Sequence, residues 1–167
     1  DGYEIGSRWI DTTNDREYVC TDATVGAAVW RETTLGQWTD YTPTWDAAGA
    51  TSIGNGTLLG RWKALDAYTF LVQIGLTWGS TTTCTGTGAW NFSLPAGVTA
   101  ATGRSQIFVA HILDTGTDNK VAVAQVASGG TTIARVVPEG GNEVTKTVPM
   151  TWATGDALNI NGVLEAA

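Results

Sequence analysis

Apolar and polar residues alternate with a period of two along most of the chain. The clearest case is the stretch FLVQIGLTW, where one face carries Phe70, Val72, Ile74, Leu76 and Trp78. Successive side chains of a β-strand point to opposite faces of the sheet. The pattern therefore predicts a long strand that covers a core.

Further segments with this pattern follow at intervals of about ten residues: WNFSL, SQIFVAHIL, KVAVAQVA, TIARVV, TVPMTW and ALNINGVL. Turns rich in Gly, Asn and Asp separate them. We find no window of helical period that is free of Gly, Pro or β-branched runs. The chain is predicted to be all-β, with an antiparallel β-sandwich or jelly roll as its main part.

The first 34 residues or so contain three short strand candidates of their own, SRWID, EYVCTD and AVWRETT. Three strands make about the smallest sheet that can stand alone. Its bulk would come from Trp9, Tyr18, Val19 and Trp30, and the segment TLGQWTDYTPTW suits an extended crossover after it. We therefore predict a three-stranded antiparallel meander over residues 1–37 and a sandwich or jelly-roll head over residues 38–167.

Two of the predicted strands are apolar on both faces. In KVAVAQVA, Val121 and Val123 alternate with Ala122, Ala124 and Val126, and SQIFVAHIL behaves in the same way. A strand of a β-sandwich ordinarily has one polar face that is exposed to solvent. The second apolar face must therefore meet another sheet, a loop or another subunit. We favour another subunit, because a domain with few helices has little else to cover this face. A closed threefold assembly would bury it.

His111 lies in one of these strands, on the face that also holds Ile107, Val109 and Leu113. One interpretation is a packed side chain with one satisfied ring nitrogen. The other is a residue near a trimer axis, where three copies would converge on a metal or an anion.

Composition and charge narrow the class of protein. Of the 167 residues, 43% are apolar and only 15% are charged, against a usual share of about 25%, and 21 are Gly. This profile is typical of a β-rich extracellular or virion protein. The net charge of −7 argues against nucleic acid as a partner, and the lack of any run of eighteen apolar residues argues against membrane insertion. The opening DGYEIG, with no initiator Met, is interpreted as the start of an excised fragment.

Catalytic chemistry has little support in the sequence. The carboxylates that a glycan hydrolase would need lie in Gly-rich turns, where acidic residues ordinarily serve solvation and turn bonding: Asp114, Asp118, Glu139, Glu143 and Asp156. No nucleophile elbow, zinc helix or phosphate loop is present, and the chain has one His. We expect no enzymatic activity, no cofactor and no metal site. Cys20 and Cys84 form either one bridge between the two regions or two free thiols.

The eight tryptophans are many for this length. In the meander, Trp9, Tyr18 and Trp30 either form a small core or face outward as a platform for a sugar ring. In the second case Asn14, Asp15 and Asp22 are the candidate polar partners. In the first case recognition falls to the loops of the head, of which the longest candidates are TSIGNG (51–56), WGSTTTCTGTG (78–88), LPAGVTAATG (94–103) and VPEGGNEV (137–144). Trp38 and Trp45 flank the connector, where their rings can dock the meander onto the head.

The run GYEIGSRWIDTTNDREYVCTDATVGAAVWRETT resembles a short module that recurs in bacteriophage tail and fibre proteins. The likeness rests on G-Y-x-x-G-S-x-W, T-T, Y-x-C-x-D-A and A-x-W, with Trp9, Tyr18, Cys20 and Trp30 as fixed points. The remainder is similar to a C-terminal domain of phage minor tail proteins and fibres, through WTDYTPTW, SIGNGTLLGRW, LTWGSTTTCTGTGAWNFSLP and MTWATGDALNINGVLEAA. Cys84 departs from that likeness, so a bridge between Cys20 and Cys84 has no family support.

The resemblance implies the tip of a virion appendage that is extracellular when it acts. Heads at this position are generally β-sandwiches or jelly rolls, often homotrimeric, and touch the host surface, commonly a glycan. The expected partners are sister copies, a host-surface glycan or receptor, and other virion tail proteins. The alternatives are a purely structural trimerisation head, a secreted carbohydrate-binding module and a glycan hydrolase.

Overall fold

A computed structural model describes residues 2–13, 16–33 and 36–167. These residues form β-strands and turns without a helix, which confirms the all-β prediction. The strands are β1 (Arg8–Asp11), β2 (Arg16–Asp22), β3 (Val29–Glu32), β4 (Thr39–Tyr41), β5 (Trp45–Asp46), β6 (Thr51–Ser52), β7 (Thr57–Ala64), β8 (Thr69–Thr77), β9 (Thr83–Cys84), β10 (Asn91–Ser93), β11 (Gln106–Asp114), β12 (Asp118–Val126), β13 (Thr132–Pro138) and β14 (Ala157–Glu165).

The strands form three antiparallel sheets. A small sheet has the order β1-β2-β3, and a large sheet has the order β4-β7-β8-β14-β11-β12-β13-β10-β5. A third sheet pairs β6 with β9. The small sheet matches the predicted meander in all three strands, and its last strand ends before the large sheet begins at residue 39.

The segment TVPMTW is not a strand, so that prediction is wrong. Residues 147–152 form turns and bends, with one isolated pairing between Thr145 and Val148. Pro149 has no N–H to donate to a neighbouring strand. The alternating pattern of TVPMTW is therefore not sufficient to form a strand. Conversely, the predicted crossover contributes β4 and β5 to the large sheet.

The large sheet is curled, and the chain connection explains why. β4 and β5 are consecutive strands, yet they lie at opposite edges of nine strands, and only residues 42–44 separate them. Nine strands laid flat would span about 38 Å at the usual spacing. The connection reaches at most about 14 Å. The two edges must therefore approach each other, which encloses the inner face.

Hydrogen bonds tie β4 and the connection to β10, the strand beside β5. The Tyr41 hydroxyl donates to the Ser93 carbonyl (3.2 Å), and the Thr44 N–H donates to Ser93 Oγ (2.9 Å). The Tyr41 ring lies against Gly60, where an added Cβ would stand 2.5 Å from the ring. Burial raises the pKa of the Tyr41 hydroxyl well above its usual range, so it stays protonated and remains a donor.

The enclosed face forms the core. β8 buries Val72, Ile74 and Leu76, as its alternation predicted. At one end of this core four indoles pack together in stacked, tilted and edge-to-face contacts with centroids 4.6–6.0 Å apart: Trp45, Trp78, Trp90 and Trp152. Trp45 is 7% exposed and belongs to this cluster, so it does not dock the meander.

Asp156 supports the end of the core near Trp152. Its carboxylate is buried and accepts hydrogen bonds from the N–H groups of Thr115 (2.9 Å) and Ala153 (2.6 Å). A buried carboxylate that accepts backbone N–H groups holds two turns in place. Asp156 therefore takes part in turn bonding, but as a buried carboxylate and not as a solvated one.

The small sheet has almost no interior. Among the described side chains of this sheet only Cys20 is fully buried, and its thiol is free, as is that of Cys84 in β9. After this sheet, Gly36 is buried against the end of β7, where its N–H donates to the Ala64 carbonyl (3.0 Å).

We predict that Tyr41→Phe lowers the free energy of unfolding by about 1 kcal/mol, because it removes one hydrogen bond between β4 and β10. Tyr41→Ala should lower it by about 3 kcal/mol, since the ring over Gly60 is also lost. Urea denaturation measures both. Tyr68→Phe is the matched control, because Tyr68 is 61% exposed. Equal effects of Tyr41→Phe and Tyr68→Phe would contradict the role of the Tyr41 hydroxyl.

Candidate functional site

The aromatic residues predicted for the meander lie together on one face of the small sheet. Trp9 pairs with Tyr18, and their rings stack at 5.0 Å with an interplanar angle of 25°. Trp30 meets Trp9 edge to face at 6.3 Å, and Tyr3 meets Trp30 in the same way at 5.3 Å. Tyr3 had not been predicted as a member. We call these four rings the aromatic face.

The aromatic face combines the two interpretations offered for it. Its rings pack against one another and are the main apolar contacts of the small sheet. Yet Trp9 remains 53% exposed and Tyr3 50% exposed, so ring surface also faces outward. Tyr3, Trp9 and Trp30 border an open depression of about 510 Å³ together with Ser7 and Arg8.

The polar partners predicted for this face have different outcomes. Asn14 and Asp15 lie outside the described residues. Asp22 is exposed, and its Oδ1 accepts the Thr24 hydroxyl (2.6 Å) and the Thr24 N–H (2.9 Å). These two bonds, that of the hydroxyl first, lower the pKa of Asp22. The carboxylate therefore serves a turn, and its role toward a ligand stays a prediction.

We predict that Thr24→Ala raises the pKa of Asp22 toward its ordinary value, because the hydroxyl donor is lost while the backbone donor remains. An NMR titration of the Asp22 carboxyl carbon measures this shift. A lowered pKa in the folded state adds stability that is present above about pH 4 and is lost as pH falls through the lowered value. The free energy of unfolding should therefore decrease less between neutral and acidic pH in Thr24→Ala than in the unmodified chain. Thr21→Ala is the control, since the Thr21 hydroxyl donates to Val29 instead; an unchanged pKa in Thr24→Ala would refute the assignment.

The outward face of the large sheet carries a second candidate surface. Its central strands expose five aliphatic side chains: Ile107 (58%), Val109 (63%), Val121 (64%), Val123 (47%) and Val163 (51%). Val109 pairs with Val123 on one side and with Asn161 on the other, so these three residues lie in one row across the sheet. We call them the apolar patch. The alternation in β11 and β12 is thus confirmed, with one face in the core and an apolar face outside.

His111 lies at the edge of the apolar patch. It pairs with Val121 and with Asn159 on the neighbouring strands and is exposed. Its Nε2 makes a hydrogen bond of 3.0 Å with Asn119 Oδ1. One ring nitrogen is therefore satisfied, but the ring is outside the core of the chain. Its position near a trimer axis stays a prediction.

A groove borders the apolar patch on the same face. It has a volume of about 520 Å³ and is formed by β4, β7, β8 and β14, with Asp40, Leu59, Arg61, Gln73, Gly75, Asn159 and Asn161 among its lining residues. Register explains the grouping, because Arg61, Gln73 and Asn161 lie in one row across three strands. Leu59, Gly75 and Asn159 form the next row. We call this the amide groove.

Arg61 is held in a fixed position at the amide groove. Its Nε donates to Gln73 Oε1 (2.6 Å), and its guanidinium carbon lies 4.6 Å from the centre of the Trp38 ring. Asp40 pairs with Arg61 across the strands, but the two side chains form no salt bridge within the described part of the chain. The guanidinium is thus held at the wall of the groove by Gln73 and Trp38.

Sequence reasoning missed the amide groove, although a signal for it exists. The polar residues of G-R-W, V-Q-I and N-I-N stand at outward positions of otherwise apolar strands. Each triplet by itself is ordinary alternation. Only the register between β7, β8 and β14 brings the three together.

Two of the predicted recognition loops bind chiefly each other. β6 and β9 lie in the loops TSIGNG and WGSTTTCTGTG, and Asn55 Oδ1 accepts the Thr81 N–H (2.9 Å). Asn55 Nδ2 donates to Ser80 Oγ (2.9 Å), and buried Thr82 donates to the Ile53 carbonyl (2.5 Å). Much of their polar capacity is therefore used inside the fold.

Among residues 2–13, 16–33 and 36–167, no three His, Cys, Asp or Glu side chains come together in a way that could hold a metal ion. No helix in the same residues has the length and apolar character needed to cross a bilayer. Comparison of the chain with protein-family models, curated proteins and solved structures gives no match.

Proposed function

We propose that this chain is the tip of a virion appendage, a phage tail fibre or a related tail protein, and that it acts in attachment to the host surface without catalysis. The head would be a jelly-roll-like β-domain that assembles as a homotrimer. The observation that carries the proposal is the outward face of the large sheet, where an apolar patch and a polar groove lie side by side. The sequence resemblance to phage tail and fibre proteins supplies the biological setting.

The apolar patch supports self-assembly by its size. Its five side chains together expose on the order of 400 Å², in the range of the largest patches on monomers, which are often contact sites. A standard interface covers about 800 Å² on each partner. The patch would supply about half of that area, and the more polar residues around it would form the rim.

Charge favours a second copy of the chain as the occupant. A net charge of −7 makes copies repel each other wherever acidic surfaces meet. The apolar patch itself contains no ionised side chain, and His111 is its titratable neighbour within β11 and β12. The nearest carboxylates, Glu139 beside Val121 and Glu165 beyond Val163, lie at its margin. Contact centred on the patch therefore buries aliphatic surface first and leaves these carboxylates at the rim. The threefold order comes from the resemblance, and His111 would then lie beside the subunit boundary.

We predict that the chain sediments as a trimer and that Val109→Lys with Val121→Lys shifts it to monomer, because six lysines would face one another in the assembly. Analytical ultracentrifugation measures the mass, and circular dichroism checks that the sheet is intact. Val25→Lys is the control, since Val25 is 82% exposed and lies in the small module. A monomeric unmodified chain would overturn the proposal.

A glycan-binding measurement distinguishes an attachment function from a purely structural trimerisation head. We predict that the intact chain binds a subset of saccharides on an array of bacterial surface glycans and leaves those glycans uncleaved. Trimeric mass without any binding would favour the structural trimerisation head. Released product would favour the hydrolase. Binding that survives in residues 1–37 alone would favour a carbohydrate-binding module, for which the aromatic face is the specific observation.

A further inference from the structure

The geometry points to the amide groove, and not the aromatic face, as the site that binds a neutral saccharide. This inference rests on the proposed attachment function and assigns its ligand site. Pockets of about 300–1,000 Å³ with a few convergent polar groups are the usual form of small-ligand sites, and the groove of about 520 Å³ falls within that range.

The groove presents polar groups that the fold itself does not use. The side-chain amides of Asn159 and Asn161 make no hydrogen bond to any other residue in the described ranges, and the Asp40 carboxylate has no ion-pair partner there. Each amide offers two donors and one acceptor, and the carboxylate offers further acceptors. Sugar hydroxyls donate and accept at once, so they match this mixed set.

The polar groups are placed by rigid elements. Asn159 and Asn161 are two residues apart on β14 and point to the same face. Gln73 lies beside Asn161 on β8, and Arg61 is fixed between Gln73 and Trp38. Groups on paired strands lose little freedom when a ligand binds, which favours affinity.

Gly75 keeps the floor of the groove open. It lies between Leu59 and Asn159 in the same row, and an added Cβ would stand 3.2 Å from Asn159 Oδ1. Its neighbours in the strand sequence, Ile74 and Leu76, are buried, so Gly75 itself faces outward. A side chain here would fill the space above the sheet and leave the core unchanged. Leu59, 68% exposed, adds an apolar surface at the rim for the C–H face of a sugar ring.

Outward amides on a strand ordinarily do no more than contact water. The distribution on this sheet argues for a further role. Gln73, Asn159 and Asn161 line one groove at β8 and β14, while the neighbouring strands expose Val109, Val121 and Val123. Asn119, an outward amide on β12, bonds to His111, whereas the amides of Asn159 and Asn161 have no partner within the described ranges and face the same cavity.

The charge of the groove selects a neutral ligand. Arg61 and Asp40 give it one positive and one negative group, and the whole chain carries −7. An acidic saccharide would meet one cation within a repelling field. A neutral hexose or N-acetylhexosamine unit would meet no such penalty.

The test uses the full chain with methyl α-glucoside, methyl β-galactoside and N-acetylglucosamine as probes, observed through NMR shifts of side-chain amide and indole N–H signals. We expect shifts at Asn159, Asn161 and Trp38 for at least one probe. The same probe should bind with little change between low and high salt, because a neutral ligand makes no screened ion pair. Binding of glucuronic acid in preference to all three probes, with strong salt dependence, would overturn the assignment to a neutral saccharide.

Two groove variants locate the site. Gly75→Val fills the floor, and Asn159→Ala with Asn161→Ala removes the free amides; each should weaken binding at least tenfold. Thermal unfolding should stay close to that of the unmodified chain, since a β-branched residue suits an outward strand position. Asn142→Ala, an exposed amide in a turn, is the control for amide removal.

The Trp9→Ala variant distinguishes the aromatic face from the amide groove as the saccharide site. Loss of binding in Trp9→Ala with full binding in Gly75→Val would assign the saccharide to the aromatic face and overturn the inference, while the attachment function would stand. No shift with any probe would also overturn it. The oligomeric mass is independent of both results, so the assembly is judged separately.

Discussion

The structure depends on one constraint of chain connection. β4 and β5 lie at opposite edges of the nine-stranded sheet, and three residues join them. A connection that spans at most about 14 Å cannot link the edges of a flat sheet of this width. The sheet therefore encloses its own inner face, and the bonds from Tyr41 and Thr44 to Ser93 tie β4 and the connection to β10, the strand beside β5.

Closure explains the use of tryptophan in the head. An inner face enclosed by one curled sheet needs large side chains to fill it, because the described residues form no second layer of helices that could supply them. Four indoles in mutual contact occupy one end of this space, and Asp156 fixes the turns that lie beside Trp152. For the same reason, no helix of the described residues covers the outward face of the large sheet. Its aliphatic centre and its polar groove are thus two consequences of one architecture.

The small sheet meets the same problem at a smaller scale. Three strands have one face to protect and very few residues to do so. Tyr3, Trp9, Tyr18 and Trp30 cover that face by packing on one another, yet Trp9 stays about half exposed. Aromatic rings in such a sheet therefore provide cohesion and open surface together, so their exposure alone is not evidence of a ligand.

Local alternation determined most of the strands in this protein. The period-two pattern predicted β8, β11, β12 and β14 as strands and the core-facing side of β8, because side-chain direction in a strand follows from backbone geometry alone. In β11 and β12 both faces are apolar, so the pattern alone did not decide that Val109, Val121 and Val123 face outward. Pro149 marks the limit of the rule, since a residue without an N–H interrupts the hydrogen bonds between strands whatever its neighbours are.

Pairing between distant strands was decided only by the tertiary structure. The amide groove needs β7 and β8 beside β14, and Trp45 reaches the core only because β5 closes the sheet. Strand order and register arise from contacts between residues far apart in the chain, and the period of a single segment carries no information about them.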